Sequence, residues 1–488
     1  MIFIFGLASN SLYFRANNYQ PDTIMKILCI FFTLLFGLTV QGQNKIAYTL
    51  RHSPSNHTIE IEITFPPISA EEVALVIPRS APGTYSLTNY QAFVDHVLGY
   101  TESGKTLDGQ LGIGSFFTFE GKEEMLAKVS YQVDLEKMET QLLDGGASSK
   151  SRTDYLGVLG YSVFGFVEGL ETQPISLTLK TDATWPIFST LAPTLHRPMG
   201  SATFEIEDFG ILADAQFMLG NAARIYQVEG SPIPLFVAIY SETEVDLEEI
   251  GRRGLLALNG LKEYFGYIPM PHYTIYQEFI HPISDRHDYG FSMEHLNSMT
   301  FTGDLSRAVK NYDANANIGG IVHHMGHSWV PLRSYGTGYR PFAWQLAPLI
   351  ETIWLNEGFT WYISYYHILQ NPKILEFFNR NMDEAPNFIK EKSLKDLSLL
   401  GSSQYAADFR IGRNLFSRGA LFAHDLDMQI QKETEGKKSF KDAILGLLHW
   451  TETHQRAFEY DEIEPIMSKA TGVDLSDVWN QWQEPREK

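Results

Sequence analysis

The sequence predicts an α+β chain of several domains, with an N-terminal β-sandwich, a mixed middle region and a C-terminal helical region. Residues 44–240 alternate in short apolar and polar runs between Pro, Gly and Asn, as antiparallel strands do. Near residue 245 the apolar spacing becomes helical, and from 371 onwards almost every stretch is helical. We therefore expect a β-sandwich over 43–240, a mixed domain over 241–370 and helices over 371–488.

Individual elements follow from the same periodicities. HTIEIEITF (57–65), KVSYQVDL (128–135) and PISLTLKT (174–181) predict strands. The stretch from Glu244, with acidic residues early and Gly-Tyr-Ile-Pro at its end, predicts a helix, and YTIYQEFI (273–280) predicts a strand. Helices are expected at 316–330 and 346–369, and then in KILEFFNRNM, ALFAHDLDMQIQK, KKSFKDAILGLLHW and VDLSDVWNQWQ.

Residues 1–42 are predicted to be a leader and signal peptide. From Met25 a single lysine precedes an apolar run and then small and polar residues, which is the order of a secretory signal, and the run is short for a membrane span. The residues before Met25 are interpreted as an upstream start. The only cysteine, Cys29, lies within the signal, so we expect a periplasmic or extracellular protein without disulfides and without a membrane span.

The charge balance excludes one class of partner. The 488 residues include 58 acidic and 38 basic side chains, a formal net charge of −20. A nucleic-acid-binding protein presents a basic face, so this composition predicts no nucleic-acid partner. The sequence leaves the oligomeric state open.

The run IVHHMGHSWV (321–330) carries histidines in a helical context. His323 and His327 are four residues apart, so on a helix their side chains lie on one face, one turn apart, and can bind one cation. His-x-x-x-His pairs also occur on helices that bind nothing. The pair alone therefore leaves metal binding open.

A third ligand is available in IETIWLNEGFTWYISYY (350–366). Glu357 lies in an apolar, aromatic stretch, where an unpaired carboxylate is unfavourable. Two histidines and a glutamate with an open fourth position form the ligand set of catalytic zinc sites. The alternative for Glu357 is a helix cap or a pair with an arginine. Glu351 lies off that face and is expected at the solvent or behind the ligands.

Residues near the predicted strand 273–280 complete the candidate site. Glu294, in DYGFSMEHLNSMTF (288–301), is a candidate for binding the cationic amine of a peptide; the alternative is an ordinary strand-edge glutamate. His281, His287 and His295 are expected in loops or behind the metal ligands, where one of them would orient a ligand.

Five segments together resemble the glycyl-aminopeptidase family of gluzincin zinc metallopeptidases. They are the histidine pair, WLNEGFTWY (354–362), the Met-Glu-His segment, IPRSAPGTYSLTNYQAFV (77–94) and FSRGALFAHDLDMQIQ (416–431). The resemblance spans roughly 45–485. It implies a β-rich N-terminal domain, a thermolysin-like metallopeptidase domain at 241–370 and a helical C-terminal region. Many members of that family end in a PDZ domain, for which this sequence is expected to leave no room.

Residue by residue, the resemblance implies zinc ligands at His323, His327 and Glu357, and an acid at Glu294 that holds the amino terminus of a peptide. Two positions depart from the family pattern. His324 stands where the family has its general-base glutamate, and Phe416 stands where the gluzincin aminopeptidases have a tyrosine that stabilises the oxyanion.

These departures leave three hypotheses for function. The preferred one is an exported zinc-site protein that binds peptides with a free amino terminus and hydrolyses them weakly or not at all. The second is an active aminopeptidase with an altered base, in which His324 acts as the base or Tyr405 replaces the missing phenol. The third is a non-enzymatic binding or scaffold protein.

Overall fold

A computed structural model describes residues 45–142, 145–284, 289–306, 318–405 and 407–484. The chain from Lys45 onwards forms one compact unit. The predicted leader and signal, including Cys29, lie outside the described residues. None of the described helices combines the length and the apolar character that a membrane crossing needs.

The N-terminal region is built on a ten-stranded sheet. Its strands are β1 Ile46–His52, β2 Thr58–Ser69, β3 Ala74–Val76, β4 Val94–Thr101, β5 Thr106–Leu111, β6 Phe116–Phe119, β7 Met125–Asp134, β10 Phe166–Val167, β11 Ile175–Lys180 and β13 Ser201–Ile206. Their order in the sheet is β10-β3-β6-β5-β4-β7-β2-β1-β11-β13. β1 pairs in parallel with β11 and antiparallel with β2. In β1, Ile46, Tyr48 and Leu50 are buried and alternate with more exposed residues, as the period-2 pattern predicts.

A four-stranded sheet shares its apolar core with the larger one. Its order is β12-β14-β9-β8, with β8 Lys150–Arg152, β9 Tyr155–Leu159, β12 Ile187–Ser189 and β14 Gln216–Leu219. Leu50 of the large sheet and Val158 of the small sheet belong to the same buried cluster. Short helices connect these strands, at Ala70–Glu72, Tyr90–Phe93, Leu135–Gln141, Gly145–Ala147, Gly160–Val163 and Phe209–Asp214.

A five-stranded sheet leads into the candidate site. Its order is β15-β16-β17-β19-β18, with β15 Arg224–Gln227, β16 Leu235–Ser241, β17 Tyr273–Ile280, β18 Phe291–His295 and β19 Ser298–Asp304. β16, β17 and β19 are parallel, whereas β18 runs antiparallel at the edge. β17 is buried along its whole length, as a central parallel strand is expected to be. The strands of this sheet lie on both sides of residue 240, where the sequence predicts the boundary between the first two domains.

The helix between β16 and β17 begins and ends where the sequence indicates. It spans Leu247–Phe265; the Asp246 side chain accepts a hydrogen bond from the Glu249 amide at its start, and Gly266 ends it at φ 86°. Such a crossover is required between two parallel strands.

Two shorter helices carry the candidate metal ligands. The histidine helix spans Ile318–Gly326 and the glutamate helix spans Ile353–Trp361, followed by a π-helical segment at Tyr362–Ile368. Both are shorter than the ranges expected from the sequence. Pro348 accounts for the late start of the glutamate helix, because the residue before a proline is disfavoured in helical conformation.

The C-terminal region is helical, as predicted. Its helices are Ile374–Asp383, Asn387–Lys390, Leu394–Gln404, Phe409–Glu433, Phe440–His454, Tyr460–Glu462, Ile463–Thr471 and Ser476–Gln483. Together with the glutamate helix they pack around a second apolar cluster, which includes Trp354 and Phe422.

A buried aspartate joins three parts of the helical region. The side chain of Asp427 is 1% exposed. It accepts hydrogen bonds from the Tyr362 hydroxyl at 2.8 Å, the Gln431 amide at 2.8 Å and the Phe440 backbone N–H at 2.9 Å. Burial by itself raises the pKa of Asp427, but hydrogen bonds from His367 and these groups outweigh it and lower the pKa to about 2.

Candidate metal centre

The histidine helix brings two imidazoles together on one face. His327 follows the last helical residue, and its backbone N–H still donates to the His323 carbonyl at 3.2 Å, so the helical turn continues through it. As a result the Nε2 atoms of His323 and His327 lie 3.1 Å apart. Both side chains are buried. The i, i+4 spacing has therefore produced the pair that the sequence predicts.

Glu357 completes a triangle with the two imidazoles. Its Oε2 lies 3.2 Å from His323 Nε2 and 3.3 Å from His327 Nε2. Ligands about 2.0–2.1 Å from a tetrahedral zinc ion are about 3.3 Å from each other, so the three atoms have the separations of one face of such a tetrahedron. The residues thus fit zinc in both donor type and spacing. The partners of Glu357 are these imidazoles and a phenol, rather than the arginine considered as an alternative.

A backbone carbonyl orients one of the ligands. His327 Nδ1 lies 2.9 Å from the Val330 carbonyl oxygen, which can only accept a hydrogen bond. When the ring is neutral, as a metal ligand must be, its proton is therefore on Nδ1 and the lone pair of Nε2 faces the triangle. This is the usual second contact of a metal-binding histidine.

The charges within the triangle are balanced. Burial, reinforced by His327, lowers the pKa of His323 to about 4. Burial also opposes protonation of His327, but the charges of Glu357 and Glu294 outweigh it and raise its pKa to about 9. Although burial favours the neutral form of Glu357, His327 and the hydrogen bonds from both imidazoles hold its pKa well below the ordinary value. A negative carboxylate therefore faces at least one cationic imidazole.

His324 lies beside the triangle. Its ring centre is 5.0 Å from that of His323 and 6.0 Å from that of His327, and it is buried. One ligand atom of each of the three histidines lies within 4.8 Å of the others. Burial, followed by the two neighbouring histidines, lowers the pKa of His324 well below its usual value. The ring is therefore a neutral imidazole close enough to serve as a further metal ligand.

Phe416 faces the site from the helix Phe409–Glu433. Its ring centre lies 6.3 Å from that of His323 and 5.0 Å from that of Trp361. Tyr405 stacks on it at 5.7 Å, with an interplanar angle of 16°. The Phe416 ring, which has no hydroxyl, therefore faces His323, and the phenol ring of Tyr405 lies next to it.

A close helix crossing fixes the position of Phe416 relative to Glu357. Gly358 and Gly419 meet where the two helices cross, and a Cβ on Gly419 would lie 2.0 Å from the Trp354 carbonyl oxygen. Only glycine allows this approach of the two backbones. The close approach of the helices explains why a glycine, Gly419, follows Arg418 in the sequence. Arg418 itself is buried and donates to the Lys392 carbonyl at 2.9 Å.

Glu294 belongs to the same cluster. It lies on edge strand β18, yet it is only 3% exposed, and a ligand atom of each of Glu294, His327 and Glu357 lies within 4.8 Å of the other two. Its Oε1 is buried, and no described residue forms a hydrogen bond with it. Burial raises the pKa of Glu294, partly offset by His327. A buried carboxylate with an unsatisfied oxygen beside the triangle is suited to a cationic group, and it is unlike an ordinary strand-edge glutamate.

Two residues of the segment 77–94 also reach the site, and the sequence argument gave neither of them a role. The Tyr85 hydroxyl donates a hydrogen bond to Glu357 Oε1 at 2.9 Å. Gly83, at φ 86°, lies so close to Glu294 that a Cβ on it would be 2.6 Å from Oε1. The Pro-Gly-x-Tyr motif was visible in the sequence, but nothing in it indicates which distant residues it contacts.

The other acidic and histidine candidates lie away from the triangle or outside the described residues. His295 is buried, with Nδ1 3.0 Å from Asp214 and Nε2 2.8 Å from Thr300, so both of its nitrogens have partners other than a ligand. His281 is exposed and pairs with Glu242. His287 lies outside the described residues. Glu351 forms a partly exposed ion pair with Lys395 at 3.0 Å, consistent with its predicted solvent position.

Comparison with protein families gives one match. Residues 47–221 match the family model described as the Peptidase M61 N-terminal domain. This supports, for the N-terminal region, the family resemblance found in the motifs. No curated protein matches the chain at a significant level.

The fold is similar to that of solved zinc metallopeptidases. An aminopeptidase N family protein from Idiomarina loihiensis matches with a TM-score of 0.76 at 17% identity, over 91% of this chain and 76% of that one. An M1 zinc metallopeptidase from Deinococcus radiodurans matches with a TM-score of 0.53 at 12% identity, over 91% of this chain and 94% of that one. At these identities the likeness concerns the fold, which is a mixed α+β architecture with a helical C-terminal region.

Proposed function

We propose that this chain is an exported zinc-binding protein of the aminopeptidase fold, which binds peptides by their free amino terminus and hydrolyses them weakly or not at all. The observation that carries the proposal is the triangle of His323 Nε2, His327 Nε2 and Glu357 Oε2, with sides of 3.1–3.3 Å. A mutant of the Deinococcus radiodurans metallopeptidase has been solved with a Tyr-Ser-Ala substrate, and a mutant two-domain M1 zinc metallopeptidase has been solved with L-arginine, which supports a peptide-type ligand.

The residues around the triangle have separate tasks. A zinc ion, when bound, supplies Lewis acidity that polarises a peptide carbonyl and acidifies water. Glu294 provides the negative charge for the amine of the peptide. The ammonium group would satisfy the buried Oε1, which has no partner among the described residues. Because Glu294 and Glu357 are close to one another, a peptide held by its amine has its first peptide bond near the metal ligands.

Hydrolysis requires proton movement that these residues do not readily supply. A positioned general base accelerates such steps by about 10²–10⁴-fold, and an oxyanion donor contributes about 10²–10³-fold. His324 takes the place of the family's glutamate as a buried imidazole, and Phe416 presents a hydrocarbon ring to the site. The two losses need not multiply, because groups that act together are non-additive. Even the smaller loss leaves a poor peptidase.

An active aminopeptidase with an altered base is the second candidate. One observation favours it, namely the stacking of Tyr405 on Phe416 at 5.7 Å, which brings a phenol next to the position that lacks one. A pure scaffold is disfavoured, because replacing a buried charged cluster with apolar residues is often neutral or stabilising. A protein without use for the cluster has no reason to keep it.

The test compares metal content and hydrolysis in the purified protein. We expect about one zinc per chain, and little turnover of glycyl and alanyl amides. The double substitution His324→Glu and Phe416→Tyr should raise turnover at unchanged zinc content, because it restores a carboxylate base and a phenol in the positions of the family pattern. Glu351→Gln, in an ion pair away from the site, is the control.

Each other outcome contradicts part of the proposal. Rapid turnover by the unsubstituted protein would establish the active aminopeptidase instead. If neither the unsubstituted protein nor the double variant contains zinc, only the hypothesis of a non-enzymatic binding scaffold remains. Export is tested separately, by locating the protein in cell fractions and sequencing the amino terminus of the mature chain.

A further inference from the structure

Tyr85 comes from the N-terminal β-rich region but packs in the second core. It lies between β3 and β4, yet its ring belongs to the buried cluster of the C-terminal half. The side chain is 2% exposed and meets the Tyr405 ring edge-on, with centres 5.8 Å apart and an interplanar angle of 76°. The residue therefore connects the N-terminal region to the wall of the metal centre.

The two oxygens of the Glu357 carboxylate have different partners, and Tyr85 is the hydrogen-bond donor to one of them. The phenol donates to Oε1 at 2.9 Å, while Oε2 faces the two imidazoles at 3.2 and 3.3 Å. A carboxylate rotates about its terminal torsion more freely than a side chain does about an sp³ bond. A fixed donor on one oxygen therefore determines where the other oxygen lies.

The backbone that presents Tyr85 is unusual. Tyr85 has φ 43°, a conformation that is uncommon for a bulky residue and unfavourable without surrounding support. The preceding turn supplies that support, because the Thr84 backbone N–H and hydroxyl both donate to the Ala81 carbonyl, at 3.1 and 2.8 Å. The chain thus holds an unfavourable conformation at the residue of the N-terminal region that donates a hydrogen bond to Glu357.

We propose that Tyr85 is a positioning residue for the metal ligand Glu357, so that the N-terminal region forms part of the metal centre. This inference rests on the proposed function, since it requires a bound metal. Partners behind metal ligands typically change metal affinity 10–100-fold when they are removed. Loss of the Tyr85 hydroxyl should weaken zinc binding by about that factor, while the ring and its contact with Tyr405 remain.

The experiment compares Tyr85→Phe with a matched control in the full chain. Tyr48→Phe also removes a phenol that is 2% exposed and donates to an acceptor, the Gly165 carbonyl at 3.0 Å. The Tyr48 ring also makes an edge-on contact, with Phe164 at 6.0 Å. The two substitutions are therefore chemically alike, but only one is at the site.

The readouts are the zinc dissociation constant, from competition with a chromophoric chelator, and the absorption bands of the cobalt-substituted protein. We expect Tyr85→Phe to raise the dissociation constant about 10–100-fold and to shift the cobalt bands, with both unchanged in Tyr48→Phe. Wild-type affinity and bands in Tyr85→Phe would overturn the inference and leave the proposed function intact. Equal weakening in both variants would also overturn it, because the cause would be general destabilisation. If the unsubstituted protein binds no zinc, the proposed function and this inference fall together.

Discussion

The approach of Gly83 to Glu294 makes a quantitative prediction for the substitution Gly83→Ala. A Cβ at this position would lie 2.6 Å from Oε1, 2.8 Å from Cδ and 2.9 Å from Oε2 of the glutamate. The carboxylate would have to move by about 0.8 Å to reach ordinary van der Waals contact at 3.4 Å. It is buried among the candidate ligands, so this displacement disturbs the site.

Two destabilising contributions, backbone conformation and overpacking, add in Gly83→Ala, and the control variant Gly104→Ala separates them. At φ 86° an alanine loses about 1–2 kcal/mol relative to glycine, whatever the surrounding space. Overpacking against a buried group costs about 1–3 kcal/mol more. Gly104 has nearly the same φ, 85°, but a Cβ on it would meet nothing within 4 Å. Gly104→Ala should therefore show only the first energy.

The assay is urea denaturation of the two variants beside the unsubstituted protein, with the affinity for alaninamide as a second readout. We expect Gly83→Ala to lose about 1–3 kcal/mol more in the free energy of unfolding than Gly104→Ala, from the overpacking energy alone. We also expect only Gly83→Ala to lose amine affinity. Equal losses of stability would refute the close contact. A normal amine affinity in Gly83→Ala would refute the role given to Glu294.

Three further predictions concern other parts of the chain. Asp427→Asn should lower the free energy of unfolding by about 1–3 kcal/mol at pH 7, because buried hydrogen bonds are lost. The pKa of Asp427 in the folded protein, about 2, lies below that of an aspartate in the unfolded chain, about 3.9, so its stabilisation is present above pH 4 and disappears as the pH falls through 2. Urea titrations should show the deficit shrinking over that window, and a constant deficit would contradict the assignment. Gly419→Ala should lower the melting temperature, because its Cβ would lie 2.0 Å from a backbone carbonyl oxygen, and an unchanged value would contradict the close crossing. Chelation should lower the melting temperature of the zinc-loaded protein, since a ligand present at 100 times its dissociation constant stabilises by about 2.7 kcal/mol. Glu357→Gln should reduce that difference, and a full effect of chelator in this variant would exclude Glu357 as a ligand.

Much of the fold was predictable because its signals are local. The helix Leu247–Phe265 carries acidic residues at its start and a glycine just past its end, and the structure has both boundaries where these signals lie. The strand Tyr273–Ile280 was likewise predicted at its observed position. The range expected for the glutamate helix, 346–369, begins too early, because the apolar residues within 346–350 outweigh the proline among them. Leu346 and Leu349, which apolar spacing alone would place in a core, are 62% and 70% exposed.

The candidate site was predictable only where spacing along the chain determines geometry. His323 and His327 meet because they are one helical turn apart, and Glu357 was a candidate because a carboxylate in an apolar stretch needs a partner. Tyr85 contacts Glu357 across 272 residues of sequence, and no periodicity reports a contact of that kind. The motif around Tyr85 resembled the family's, but its purpose became visible only when the fold placed the phenol on a carboxylate oxygen.

The triangle also shows why retention of the metal ligands and catalysis must be judged separately. The charge of Glu357 is balanced by His327, and its second oxygen is satisfied by Tyr85, so the cluster is compatible with a stable fold before any metal binds. The ligands can therefore persist after the proton-transfer groups have changed. His324 and Phe416 face no such constraint, because neither supports the triangle through a hydrogen bond among those described. Catalytic competence in this scaffold consequently requires suitable groups at positions 324 and 416 in addition to the three ligands, and the substitutions His324→Glu and Phe416→Tyr should change turnover while leaving the metal in place.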